Sequence, residues 1–209
     1  MKIQTLRCEL ARPQSPNGKL VVVLHGRGDS SAGFHWMPGT LGIPGVTWLL
    51  VNAPDHWYGG FSWYDMPPNH GPGVLRSREL LESLFEEINA GGFEDEDIAL
   101  FGFSQGCLLT LEWGARTNRK LAGCVGVSGY CYDAAKLGEE LSEAARTRPW
   151  LVTHGYQDEV LPYEATAEQI RELQKAGLPV DFRAYAKTHT IDPDLEDIRE
   201  ALLRMLNPQ

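Results

Sequence analysis

No stretch of this chain approaches the roughly 18 uninterrupted apolar residues that a membrane-spanning helix needs, and its opening, MKIQTLRCEL, carries no apolar run behind the basic start. A soluble, unexported, cytoplasmic protein is the expectation. Positive charge is scarce: 19 Lys and Arg stand against 28 Asp and Glu, for a formal net charge of -9. Phosphate contacts need clustered cations, so this balance argues against a nucleic-acid partner. The cysteines, Cys8, Cys107, Cys124 and Cys131, lie far apart and form no CxxC pair. That excludes zinc spacing and a small disulfide framework and leaves reduced thiols, with Cys107 and Cys124 in apolar runs as small core residues. Internal repeats and low-complexity tails are also missing, which removes solenoids and disordered interaction arms.

What is present is enough apolar material, 43% of 209 residues, to bury one sizeable core, so residues 1–209 are expected to form a single domain. Short apolar runs alternate with longer amphipathic segments, the pattern of a mainly parallel sheet with crossover helices. Strands are expected at 19–24, 47–52, 98–103, 121–127, 150–153 and 180–185. Helices are expected where Leu75, Leu80, Leu81, Leu84, Phe85 and Ile88 form a stripe ended by Gly91 and Gly92, at 105–115, and at 165–176 before Gly177. Asp192 and Pro193 read as the N-cap and first position of a last helix with Leu195, Ile198, Leu202 and Met205 on its apolar face. Residues 54–73, rich in Pro, Gly and aromatics, are too broken for a regular element and read as a long functional loop.

The chemistry gathers at Gly102-Phe103-Ser104-Gln105-Gly106, a GxSxG run between an apolar strand and a helical segment. The small residues permit the sharp turn that exposes a nucleophilic hydroxyl and aims helix N–H groups at an oxyanion. A hydroxyl needs a base to take its proton and a carboxylate to fix the base's tautomer, in chain order Ser, acid, His. Only His154 and His189 follow Ser104. His154 falls at a strand end, whereas His189 lies in the loop before the final helix and is the expected base. Asp158, after the strand ending at Thr153, is the expected acid, with Asp133 and Glu159 as rivals. The oxyanion hole is expected from the backbone N–H groups of Gln105 and of Arg27, in the LHGRGDS loop that ends the first strand. His25 is expected to orient that loop. Phe61, Trp63 and Tyr64, with Trp57 and Tyr58 nearby, either line an acyl-binding cleft or pack against the sheet.

At LHGRGDS, NAP followed by FSWYD, GFSQG and HGYQDEVLP the chain resembles the phospholipase/carboxylesterase group of α/β-hydrolases, which includes the acyl-protein thioesterases. The resemblance runs nearly the whole length. It implies the α/β-hydrolase fold, a Ser104, Asp158, His189 triad, hydrolysis of carboxylic esters or thioesters through an acyl-enzyme, and no metal or cofactor. The partner implied is a small-molecule or acylated substrate, with a homodimer left open. Two positions depart from the group: Arg27 stands where an apolar residue is usual, implying a more polar or narrower acyl channel, and Thr188 replaces the usual Gly before the catalytic His. A peptidase or dienelactone-type hydrolase, and a catalytically silent binding module on the same fold, are the alternatives.

Overall fold

The computed structural model describes residues 1–207. In chain order the elements are β1 (Cys8–Ala11), β2 (Leu20–Leu24), α1 (Met37–Leu41), β3 (Thr47–Val51), β4 (Asp55–Trp57) and β5 (Gly60–Ser62). There follow α2 (Gly71–Ala90), β6 (Ile98–Phe103), α3 (Gln105–Gly114), β7 (Gly123–Val127), α4 (Ala134–Glu139) and α5 (Glu143–Thr147). The remainder is β8 (Trp150–Gly155), α6 (Tyr163–Lys175), β9 (Val180–Tyr185) and α7 (Leu195–Leu206).

Seven strands form one sheet in the order β1-β3-β2-β6-β7-β8-β9, parallel except for β1, which runs antiparallel to β3 at the edge. Because both faces are covered, β2 (LVVVL) is buried at every position, as continuous Val/Leu runs in parallel sheets are. The two-residue strand period sorts these side chains. Leu20, Val22 and Leu24 pack with α2, α3 and α6 through Leu81, Phe85, Leu108 and Ile170. Val21 and Val23 pack on the other face with Met37 and Leu41 of α1 and with Ile198, Leu202 and Met205 of α7.

Two expectations are corrected and one strand is added. The N-terminal edge strand β1 is an addition: CELA, at four residues, is too short an alternation to stand out in sequence. Residues 54–73 are not wholly irregular: β4 and β5 pair as a short antiparallel hairpin, Asp55 opposite Ser62. The last helix begins at Leu195 rather than after Asp192, because Asp194 N–H bonds Ile191 O at 3.0 Å in a preceding turn. Asp194, not Asp192, occupies the flanking position, and its carboxylate turns inward to Lys187 and Thr153.

Candidate active site

The geometry begins at the β6–α3 junction. Ser104 is held at φ 53°, ψ -112°, a region that L-residues rarely adopt and that persists only where the surroundings fix it. Here close packing fixes it. A side-chain carbon at Gly102 would lie 2.2 Å from Gly106 O, and one at Gly106 would lie 2.1 Å from Leu24 O. Both glycines are therefore demanded by contact, and between them the serine is pushed out of the strand line.

The chain brings three of the expected residues together from three loops. His189, after β9, places Nε2 2.9 Å from Ser104 Oγ, and its Nδ1 lies 2.8 Å from Asp158 Oδ2. Asp158, after β8, accepts N–H bonds from Val160 (2.9 Å) and Leu161 (2.8 Å) on its other oxygen. Burial pushes the Asp158 carboxyl up, but the hydrogen bonds from Leu161 N–H and His189 outweigh it and hold the group below the usual carboxylate range. An ionised Asp158 then selects the His189 tautomer that carries its proton on Nδ1 and leaves Nε2 free to accept. The ring of Phe103 packs 5.0 Å from that of His189, centre to centre.

The rivals lie elsewhere. His154 donates from Nε2 to Leu161 O at 2.8 Å and stands behind Asp158, 3.6 Å from its carboxylate. Asp133 caps α4, accepting Lys136 N–H at 3.0 Å, and Glu159 is exposed.

Gly26 abuts the nucleophile side: a carbon added there would lie 3.2 Å from Ser104 Cβ. The next residue is Arg27. Neither its N–H nor that of Gln105, in the first turn of α3, reaches an acceptor among the described residues. The first N–H groups of any helix are orphaned in this way. His25 ties the same loop down. Its Nε2 accepts Ala53 N–H at 3.0 Å, its Nδ1 lies 2.6 Å from Gly26 O, and its carbonyl accepts Trp63 Nε1–H at 3.0 Å. Accepting at Nε2 requires the proton on Nδ1, and burial lowers the basicity of this ring.

Of the aromatic residues, Trp63 and Tyr64 are buried beneath the loop. Phe61 lines a cleft of about 660 Å³ with Leu6, Leu49, Ala53 and Leu80, to which Ser104, Asp158 and His189 do not contribute.

Two features were invisible in sequence. The Gln105 side chain pins the end of the hairpin, its Oε1 accepting Trp63 N–H at 3.0 Å and its Nε2 donating to Tyr64 O at 2.8 Å. Beneath the His189 loop, Lys187 and Asp194 form a buried ion pair that also takes in the Thr153 hydroxyl. The only sequence signal for it was a Lys two positions before the candidate base.

Known proteins extend this picture. Acyl-protein thioesterase 1 of Schizosaccharomyces pombe is 32% identical over 170 residues, 75% of this chain and 76% of the relative. Acyl-protein thioesterase 1 of Emericella nidulans is 28% identical over 215 residues, 89% of this chain and 90% of the relative. The crystal structure of Arabidopsis thaliana SOBER1 superposes with a TM-score of 0.82 at 25% identity, covering 90% of this chain and 99% of that one. Residues 7–205, which hold every loop described above, match the phospholipase/carboxylesterase family. The chain belongs to that family of α/β-hydrolases and is a hydrolase acting on esters.

Proposed function

We propose that Ser104, His189 and Asp158 are a catalytic triad that hydrolyses carboxylic esters and thioesters through an acyl-enzyme. The observation that carries this reading is the continuous hydrogen-bonded chain from Ser104 Oγ through His189 to Asp158, presented at a strained strand-to-helix turn. In the reaction His189 Nε2 takes the Ser104 proton as Oγ bonds to the substrate carbonyl carbon. The carbonyl oxygen becomes an oxyanion facing the N–H groups of Arg27 and Gln105. Its collapse expels the alcohol or thiol, which leaves with the proton from His189. Water then attacks the acyl-serine, gives its proton to His189, and releases the carboxylic acid as Ser104 recovers its hydrogen.

Names of relatives that act as acyl-protein thioesterases support the thioester half of the reading. Each chain carries all three groups, so the reaction needs no second copy. No helix among the described residues is long and apolar enough to cross a membrane. All four cysteines are free, three of them buried, which supports a reducing, cytoplasmic setting. One domain spanning the chain is part of the same proposal.

The test is a panel of p-nitrophenyl esters, acyl thioesters and aminoacyl amides offered to the wild type and to Ser104→Ala. Turnover of the first two classes that disappears in the variant is the expected result. Turnover of amides in preference to esters would make the chain a peptidase, and a wild type inert on every member would be a silent binding module.

A further inference from the structure

Among the arginines of the described residues, Arg27 is distinguished by a buried Nε left without a hydrogen-bond partner. Arg116 meets Glu112 and Glu140, Arg119 meets Glu82 and Asp95, and Arg148 donates to the carbonyls of Thr117 and Arg119. Arg27 forms no ion pair among the described residues, and its buried Nε has no hydrogen-bond partner. Asp29, the nearest acid in sequence, is engaged by Ser30 N–H at 2.7 Å.

The guanidinium is nevertheless held in place. Its central carbon lies 3.8 Å from the centre of the Trp57 ring, within stacking and cation–π range. Trp57 belongs to the β4–β5 hairpin, and that hairpin is locked to Arg27's own loop by Gly28 N–H to Phe61 O and Phe61 N–H to Asp29 O, each 2.8 Å. Tyr130 lies near enough to feel this cation: its phenol is pushed up by burial while the Arg27 charge acts in the opposite sense. A partly buried cation left without a counter-charge is costly. In a chain of net charge -9, a carboxylate to satisfy it was readily available, and none is used. Arg27 thus follows directly on Gly26, which packs against Ser104, while its guanidinium lies along Trp57.

We propose that Arg27 recognises an anion, so that the ester or thioester hydrolysed here carries a carboxylate or phosphate on the part that lies along Trp57. This rests on the hydrolase reading and narrows its substrate class to acidic acyl compounds. A flat guanidinium presents paired N–H donors to either oxyanion. The stacked ring excludes water from one face and prevents the side chain from swinging away.

The experiment compares p-nitrophenyl hexanoate with mono-p-nitrophenyl adipate, which differ only in a terminal carboxylate. Wild type should prefer the adipate by about tenfold or more in kcat/KM, expressed in KM and shrinking as salt rises. Arg27→Leu should abolish the preference. Arg27→Gln, uncharged and similar in length, repeats the test should the leucine variant lose its fold by circular dichroism. A second arm is independent of turnover: calorimetric titration of Ser104→Ala with adipate and with hexyl phosphate, repeated with Arg27→Leu added. Binding that depends on Arg27 supports the proposal, and the tighter of the two anions names the source. Equal preference in wild type and both Arg27 variants, or binding of neither anion, overturns it. A wild type that binds anions through Arg27 but hydrolyses neither ester overturns the hydrolase reading and leaves anion recognition standing.

Discussion

Asp158 uses both of its oxygens, one to orient His189 and the other to accept two backbone N–H groups. It is thereby fixed in place as well as charged. A group that positions a base is less essential than the base itself. Ser104→Ala and His189→Ala should each lower kcat on a p-nitrophenyl ester by about 10⁴-fold or more, and Asp158→Asn by somewhat less, with unchanged circular dichroism. His154→Ala should retain most turnover, since that buried ring bonds Leu161 O and makes no hydrogen bond to Ser104. The reverse pattern would transfer the base role to His154. Cys107 sits in the turn of helix after Ser104 but is fully buried, and burial pushes its thiol up to about 12. Iodoacetamide should therefore leave hydrolysis intact in the folded protein. The grouping of Ser104, Asp158 and His189 was legible in sequence because each lies in a loop directly after a recognisable apolar strand. The Lys187–Asp194 pair was not, because a loop lysine reads as a solvated charge and nothing in its spacing points to Thr153.

That pair matters at the scale of elements, where it joins the loop after β9 to the start of α7 and to β8. Its two side chains are almost wholly removed from solvent. Lys187→Met leaves an unpaired buried carboxylate and should cost about 3–5 kcal/mol in urea denaturation. The double variant Lys187→Met/Asp194→Leu should recover much of that loss, because the stranded charge is gone. A double variant no more stable than the single would refute the buried-pair account. The same pair displaces the helix start: Asp192-Pro193 has the residue types of a cap, but the chain turns once more to seat Asp194. The β4–β5 hairpin escaped a propensity reading for a related reason. Its three-residue strands are held from outside, by the Arg27 loop and by the Gln105 side chain, rather than by their own sequence.

Across the whole molecule the inner strands were legible because they are buried on both faces and so announce themselves as apolar runs, and the edge strand β9 through the alternation of VDFRAY, whereas the four-residue edge strand β1 is too short to stand out. The same burial sets the response to acid. His25 is held neutral by burial and by the Ala53 N–H it accepts, so its folded value lies below the ordinary histidine value of about 6.5. His154 is displaced in the same direction by burial. Below that pH the unfolded chain binds protons that the folded chain refuses, so stability is full above it and falls as pH drops through the folded values. The melting temperature should decline from pH 7 toward pH 5, and less steeply in His25→Gln. An unchanged slope in that variant would remove His25 from the account.

The central claim, that Ser104 is a nucleophile activated by His189, is tested most directly by treating the folded protein with a fluorophosphonate and locating the adduct by peptide mass spectrometry. One adduct per chain on the peptide containing Ser104, lost in Ser104→Ala and slowed by orders of magnitude in His189→Ala, is the result predicted here. Labelling that persists in Ser104→Ala, or a wild type that stays unlabelled while fully folded, would contradict it.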